Sequence, residues 1–221
     1  MTKYYWKELY SEINGCQKCR LCEQRTNIVI GEGDPKATIM FIGEGPGRDE
    51  DLSGRPFVGR AGQLLDKMIG AIGFRREEVY IANVVKCRPP NNRTPEESEA
   101  DACLPYLRVQ FALIRPKIIV CLGATAAKYI YDPNVRITRD RGVWKEKKGV
   151  WILPTYHPAA LLRDESKKRE AWENMQKLKQ SVMRTESQQT SRLRVTSHVM
   201  VMMMTEQMRS QQHCFLHSLR N

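Results

Sequence analysis

The cysteines of this chain are spaced for metal binding. Of the seven cysteines, Cys16 and Cys19 form a C-x2-C pair, whereas Cys87 and Cys103 lie far downstream. Four thiolates can close one structural zinc site or hold one [4Fe–4S] cluster, because both take four sulfur ligands in roughly tetrahedral directions. A zinc ribbon more often has a second close C-x2-C pair, so the wide spacing of Cys87 and Cys103 favours the cluster modestly. The spacing alone does not decide between them.

The other cysteines are expected to have no ligand role. Cys22 is a spare thiol close to the C-x2-C pair, and a packed or solvent-facing thiol is its simpler interpretation. Cys121 lies within an apolar run, which predicts a core position, and Cys214 falls near the C-terminus.

A glycine-rich loop, Gly43-Glu-Gly-Pro-Gly47, is the second feature with chemical potential. Its glycines allow the backbone to approach a ligand closely, and backbone N–H groups can bind a carbonyl oxygen. No Gly-Lys-Ser/Thr follows and the G-x-G-x-x-G pattern is missing, so the loop is neither a P-loop nor a dinucleotide fingerprint. Glu44 is the first candidate to orient a water molecule, and Glu50 is a weaker one.

The elements that position these residues alternate between strand and helix. Short apolar runs predict strands at 38–43, 79–85, 117–122 and 151–154, and helical spacing predicts helices at 3–13, 61–72, 95–114, 124–130 and 167–182. Thr94 is the expected start signal of the third of these helices. This order predicts an α/β fold, a three-layer α/β/α sandwich with a central, mostly parallel sheet. Ligands bind at the carboxyl ends of such strands, where Gly43–Gly47, Asn83 and His157 fall.

Composition limits the class of protein. The chain has 221 residues, 36 Lys and Arg against 25 Asp and Glu, and a net charge of +11, which favours a polyanionic partner such as nucleic acid. No signal peptide or membrane span is apparent, so we expect a soluble cytoplasmic protein. We predict one domain over 1–184 and a disordered or marginally structured tail over 185–221, which contains no Gly, Pro, Lys or Asp.

Four ordered motifs together resemble the family 4 uracil-DNA glycosylases, the iron–sulfur branch of the uracil-DNA glycosylase superfamily. They are Gly43-Glu-Gly-Pro-Gly47, Gly54-Arg-Pro-Phe-Val-Gly-Arg-Ala-Gly-Gln-Leu-Leu65, Asn83-Val-Val-Lys-Cys-Arg-Pro-Pro90 and Tyr156-His-Pro-Ala-Ala-Leu-Leu-Arg163. The resemblance extends from about Cys16 to about Met183. It implies a structural [4Fe–4S] cluster on Cys16, Cys19, Cys87 and Cys103.

The resemblance also implies roles around the base. Asn83 would read the edge of uracil, since one amide can accept from N3–H and donate to O4. His157, the only histidine before the tail, would donate to O2 of the departing base, and Phe57 would stack on the flipped base. Gly45 would contact the substrate. The family 1 enzymes have an aspartate at that position, so their water-activating carboxylate is missing here.

DNA contacts are expected on the last motif. Leu161 and Leu162 suit a wedge that fills the gap left by a flipped base, although they could equally begin the core face of the last helix. Arg163, with Arg55, Arg60 and Lys86, could neutralise phosphates.

The expected activity is hydrolysis of the N-glycosidic bond of uracil in DNA, single- or double-stranded, by a monomeric glycosylase. One alternative is a non-catalytic iron–sulfur relative that binds nucleic acid, and another is a cysteine-ligated electron carrier. A branch that forms a covalent adduct through a histidine-containing loop is disfavoured, because 89–98 has no histidine.

Overall fold

The computed structural model describes residues 5–183. The chain divides into two compact units, residues 1–178 and 179–221, and the fold described below is that of the first. The predicted boundary after residue 184 and the predicted tail at 185–221 lie outside the described residues. Among the described residues, no helix has the length and hydrophobicity needed to cross a membrane.

One six-stranded sheet forms the centre of the fold, in the order β1-β3-β2-β4-β6-β5. The inner four strands are parallel and the two edge strands are antiparallel to their neighbours. The strands are β1 (Glu32–Gly33), β2 (Ile39–Gly43), β3 (Tyr80–Asn83), β4 (Ile118–Leu122), β5 (Lys145–Lys147) and β6 (Val150–Thr155).

Helices connect the parallel strands, and others precede the first strand and follow the last one. They are α1 (Trp6–Asn14), α2 (Arg48–Ser53), α3 (Arg60–Ala71), α4 (Glu97–Ile114), α5 (Ala124–Ile130), α6 (Ile137–Asp140), α7 (Pro158–Arg163) and α8 (168–183). The predicted α/β sandwich with a mostly parallel sheet is therefore confirmed. Every residue of β2 and β4 is buried, as expected for inner strands covered on both faces.

The direction in which successive strands are added to the sheet reverses at β2. β3 follows β2 on one side of it and β4 lies on the other, so the loops after β2 and β4 border a crevice at the carboxyl ends of the strands. Ligand sites of open α/β sheets form at such switch points.

Two local predictions differ from the structure. Helix α4 begins at Glu97, and the side chain of Glu99 accepts from the Glu96 backbone N–H, so Thr94 is not its cap. The segment at 48–53, where no helix was predicted, is helix α2. Its apolar content is too low for the periodicity that reveals a helix, but Glu50 closes its first turn by accepting from Gly47 N.

Candidate active site and cysteine cavity

A cleft of about 720 Å³ opens at the carboxyl ends of the parallel strands. Its walls come from the loops after β2, β3, β4 and β6, and they include Glu44, Phe57, Asn83, Thr125 and His157. The volume lies in the range of small-molecule sites. Sequence reasoning placed Glu44, Asn83 and His157 at this edge of the sheet, and the family resemblance assigned Phe57 to the same site. Thr125 was missed.

Asn83 ends β3 with its side chain in the wall of this cleft. The residue is 1% exposed, and its Oδ1 has no hydrogen-bond partner. Within residues 5–183, the only other buried side-chain atom in that condition is Nε of Arg141. A buried acceptor without a donor costs about 1–3 kcal/mol, so this oxygen is suited to receive a donor from a bound ligand.

Gly43 leaves the space in which Asn83 and Phe57 meet. A Cβ at residue 43 would lie 2.4 Å from Oδ1 of Asn83 and 2.5 Å from Cζ of Phe57. Any other residue would therefore displace the amide or the ring. At Gly45 a Cβ would lie 2.7 Å from Cγ2 of Val85, so a carboxylate side chain does not fit there without movement.

Phe57 is held in an unusual backbone conformation. Its φ is +51°, a region that non-glycine residues rarely adopt, and its ring lies 5.5 Å from the His157 ring at an angle of 33°. Helix α3 packs directly on its carbonyl, because a Cβ at Gly62 would lie 1.8 Å from that oxygen. Strain of this kind persists only where the surroundings hold it, which points to a positioned ring.

Two charged side chains hold the loop that carries Phe57. Arg76 donates to the carbonyl of Phe57 at 3.1 Å and to that of Pro56, while pairing with Glu32 and Asp66. On the other side, Glu50 accepts from the backbone N–H groups of 58 and 59, both at 2.9 Å. Sequence reasoning missed Arg76, because its partners lie far from it along the chain.

The interpretation of Glu50 as a weaker catalytic base is not supported. One of its oxygens accepts the two N–H groups of 58 and 59, and the other accepts from Gly47 at 3.0 Å. Glu50 therefore accepts three hydrogen bonds, and its carboxylate holds the loop after β2 to the segment before α3. Glu44, which also lines the cleft, remains the candidate to orient a water molecule.

Glu44 is fixed by a single short hydrogen bond. The Thr125 hydroxyl, in the first turn of α5, donates to its Oε2. The other carboxylate oxygen, Oε1, has no hydrogen bond to another described residue. Glu44 is therefore oriented by α5 while one oxygen remains free to bind water or substrate.

His157 caps helix α7 with its ring. Its Nδ1 accepts from the backbone N–H of Ala159 at 3.2 Å, so the neutral ring carries its proton on Nε2. Burial in the cleft, together with the positive charge of Arg163, lowers the pKa of His157 to about 4. The ring is therefore a neutral hydrogen-bond donor at physiological pH.

The structure corrects several predicted DNA contacts. Leu161 is 2% exposed, so its side chain packs in the core beneath α7 and is not available as a wedge. Leu162 is half-buried, and Arg163 is exposed. Lys86 is fully buried and cannot reach a phosphate, and Arg55 pairs with Glu32 at 2.8 Å. Arg60 is exposed and borders the cleft, as predicted. Arg48 is also exposed and borders the cleft, but sequence reasoning missed it.

The four predicted ligand cysteines line one cavity beside α1 and α4. Cys16 and Cys19 reach it from the N-terminal segment, Cys87 and Cys103 from the chain after β3 and from α4, and Cys22 also borders it. Cys121 is a core residue of β4, as predicted. Among residues 5–183, no group of three or more His, Cys, Asp or Glu side chains is arranged to hold a metal ion.

Backbone and side-chain N–H groups point at the sulfur atoms. Arg25 donates to Sγ of Cys87 at 3.4 Å and to the Cys16 carbonyl at 2.7 Å, and the Lys86 N–H donates to Sγ of Cys103 at 3.3 Å. Burial raises the pKa of the thiols of Cys87 and Cys103, the latter to about 11. As free thiols, Cys87 and Cys103 are therefore protonated at neutral pH, whereas the N–H donors beside them are suited to sulfur atoms that carry negative charge.

Known proteins match this arrangement over most of the chain. A model of the uracil DNA glycosylase superfamily matches residues 30–176. The type-4 uracil-DNA glycosylase of Sulfurisphaera tokodaii is 50% identical over 183 residues, which cover 79% of this chain and 83% of that protein. The type-4 enzyme of Thermotoga maritima is 50% identical, covering 75% and 88%. A type-5 uracil-DNA glycosylase of Pyrobaculum aerophilum is 30% identical, covering 58% and 64%. This chain therefore belongs to the uracil DNA glycosylase superfamily, in its type-4 family.

Proposed function

We propose that this protein is a DNA-repair hydrolase that cleaves the N-glycosidic bond of deoxyuridine in DNA, releasing uracil and leaving an abasic site. The observation that carries the proposal is the unpartnered Oδ1 of buried Asn83, which faces a cleft shared with the Phe57 ring and the His157 donor. The similarity to type-4 uracil-DNA glycosylases that are 50% identical to this chain supports the proposal.

The amide of Asn83 explains the choice of base. Uracil presents an N3–H donor beside the O4 acceptor, so Oδ1 accepts from N3–H while Nδ2 donates to O4. Cytosine presents an N3 acceptor and an amino donor instead, which would set acceptor against acceptor and donor against donor. A site built on such a buried amide discriminates strongly, because the wrong base leaves its groups unpaired.

His157 stabilises the leaving group. When the bond between C1′ of the sugar and N1 of uracil breaks, the electron pair moves into the base and spreads to O2. A neutral imidazole with its proton on Nε2 donates a hydrogen bond to that oxygen without giving up the proton. The Phe57 ring lies 5.5 Å from the His157 ring and would stack on the flipped base beside this donor.

Glu44 receives the water molecule. The oxygen of water bonds to C1′ as uracil departs, and the proton it loses passes to the Glu44 carboxylate, which Thr125 holds in place. The same carboxylate offsets the positive charge that develops on the sugar. Gly45 supplies close backbone approach rather than a second carboxylate.

Exposed arginines around the cleft are suited to DNA phosphates. Arg48, Arg60 and Arg163 border it on three segments, α2, α3 and α7. With the base flipped into the cleft, these cations would hold the backbone on either side, and Leu162 would face the gap. We propose that the protein acts as a monomer on single- or double-stranded DNA inside the cell.

The cysteine cavity is proposed to hold a [4Fe–4S] cluster on Cys16, Cys19, Cys87 and Cys103. Four thiols from three segments of the chain line it, and N–H donors face the sulfurs of Cys87 and Cys103. All four donors are cysteines, and the wide spacing of Cys87 and Cys103 favours the cluster over a single zinc. These cysteines, holding a cluster, would link the N-terminal segment to α4, and hydrolysis needs no electron from the cluster.

A cleavage assay tests the proposal. Oligonucleotides with a single uracil, single-stranded and paired with guanine, are incubated with cluster-loaded protein and then with alkali to break abasic sites. We expect cleavage at uracil and none at cytosine, and a large loss in Asn83→Ala and His157→Ala. If the folded, loaded wild type binds these oligonucleotides without releasing uracil, the protein is instead a non-catalytic nucleic-acid-binding relative.

A further inference from the structure

Lys86 is a buried cation that the proposed reaction does not use. The side chain is 1% exposed and is among the largest fully buried side chains of the described residues. Among residues 5–183, no carboxylate forms an ion pair with it, and the group whose negative charge acts on it is Cys103. Buried lysines without a carboxylate are rare, because burial of an unpaired charge is costly.

The Lys86 ammonium contacts the active site directly. Its Nζ donates to the backbone carbonyl of Asn83 at 2.8 Å and to Oε1 of Gln110 at 2.6 Å. Gln110 is itself fixed, since its Nε2 donates to the carbonyl of Ile30 at 2.8 Å and to the Tyr80 hydroxyl at 3.1 Å. The ammonium therefore anchors the end of β3, where the uracil-reading amide is attached.

The same residue contacts the cysteine cavity. The backbone N–H of Lys86 donates to Sγ of Cys103 at 3.3 Å. Lys86 also lines the cavity and directly precedes Cys87 in the chain. Cysteines that hold a metal are deprotonated, so a loaded site places several thiolates beside this ammonium. Those thiolates supply the negative charge that the surrounding protein lacks.

We propose that Lys86 is a positioning residue that couples the two sites: it balances the charge of the loaded cysteines and, through the same ammonium, fixes Asn83 for uracil. The inference rests on the proposed function and on the proposed cluster. It assigns to the cysteine site an influence on base recognition, beyond its role of holding the fold together.

The experiment compares two variants with a matched control. K86M keeps the length of the side chain but removes charge and donor, and K86Q removes the charge while keeping a donor on a shorter stem. K67M makes the same change as K86M at an exposed lysine of α3. For each loaded protein, the reduction potential of the cluster is measured by redox titration, and the dissociation constant of free uracil is measured by calorimetry.

We expect a lower reduction potential in both Lys86 variants, because loss of a nearby positive charge disfavours the added electron. Uracil affinity should fall about tenfold in K86M, the usual cost of a lost hydrogen bond to a charged group, and less in K86Q. K67M should match the wild type in both measurements. A role confined to folding would lower yield and Tm without moving the potential or the uracil affinity of the loaded protein.

Loaded K86M or K86Q with the potential and the uracil affinity of the wild type would overturn the coupling. Failure of both variants to fold or to load would also overturn it, since Lys86 would then be a folding element alone. If wild-type protein binds no uracil, the proposed function fails, whereas the reduction potentials still report on the charge of Lys86. The two failures are therefore distinguishable.

Discussion

The cleft and the cysteine cavity share one stretch of chain, 83–89, but are suited to different occupants. In the cleft, the buried amide oxygen of Asn83 lacks a hydrogen-bond partner and the Nε2–H of His157 is free to donate, so both groups can bind a ligand that later dissociates. In the cysteine cavity, the sulfurs already receive N–H groups from Arg25 and from the Lys86 backbone. One site is prepared for exchange and the other for a permanent occupant.

The segment 83–89 belongs to both sites. Asn83 and Pro89 border the cleft, whereas Lys86 and Cys87 border the cysteine cavity. A strand end that serves two sites must be rigid, and the hydrogen bonds of Val84 and Val85 to the carbonyls of Gly43 and Glu44 extend the sheet pairing past β3. The comparison therefore predicts that changes in the cavity alter stability first, and changes in the cleft alter activity first.

The largest effect is expected from a ligand cysteine. Cys87→Ser should abolish the visible absorbance of the cluster and destabilise the fold by at least about 3 kcal/mol, roughly 10 °C in Tm. Cys22→Ser is the matched control, because Cys22 borders the same cavity outside the ligand set. Its Tm and absorbance should stay near those of the wild type, measured by thermal melts and spectra. The reverse pattern would reassign the ligands.

His157 should dominate activity while leaving the cluster intact. His157→Ala should lower kcat about 10²–10³-fold, the usual cost of a lost donor to a developing anion. With a pKa of about 4, the ring is neutral from pH 5 to 8, so the pH profile of kcat/KM should show no step from His157 in that range. A rise in activity as pH falls through 6.5, absent in the variant, would instead favour a cationic catalyst.

The same pKa predicts a stability effect with a defined sign. Between pH 4 and the ordinary value of 6.5, the unfolded chain binds a proton at His157 and the folded chain does not. The free energy of unfolding should therefore fall as pH drops from 6.5 towards 4. His157→Gln should remove this part of the dependence, which denaturant unfolding of both proteins at pH 7 and pH 5 would reveal. Equal losses in the two proteins would contradict the shifted pKa.

A smaller effect is expected from the residue that orients Glu44. Thr125→Val keeps the shape of the side chain but removes the hydroxyl, so kcat should fall about tenfold with little change in KM. Thr125→Ser keeps the donor and should retain most of the activity, as steady-state kinetics can establish. Full activity in the valine variant would remove Thr125 from the description of the cleft.

The smallest effect concerns phosphate contacts. Arg60→Gln should weaken DNA binding modestly for every DNA sequence. It should also reduce the slope of log affinity against log salt by about one. Arg55→Gln is the matched control, because Arg55 already pairs with Glu32. Fluorescence anisotropy over a range of salt measures both slopes. If Arg55→Gln lowers the slope as much as Arg60→Gln, the original prediction of a phosphate contact for Arg55 is restored.

Sequence reasoning found most of the fold because apolar runs report burial directly. The strands at 39–43 and 118–122 and the helix at 124–130 were predicted to within a residue or two. The edge strands β1 and β5 were missed, since two or three polar residues carry no alternation. Helix α2 was missed for the same reason, and the start of α4 was misplaced because a glutamate, not a threonine, closes its first turn.

What the sequence determined by itself is the set of residues at the strand ends, the four cysteines and the family they indicate. Only the tertiary structure decided which polar side chains are already engaged. It placed Glu50 on backbone N–H groups, paired Arg55 and Arg76 with Glu32, and buried Lys86 and Leu161. The physical reason is that apolar burial leaves a local pattern along the chain. A buried hydrogen bond or ion pair instead depends on the distance between residues that are far apart in sequence.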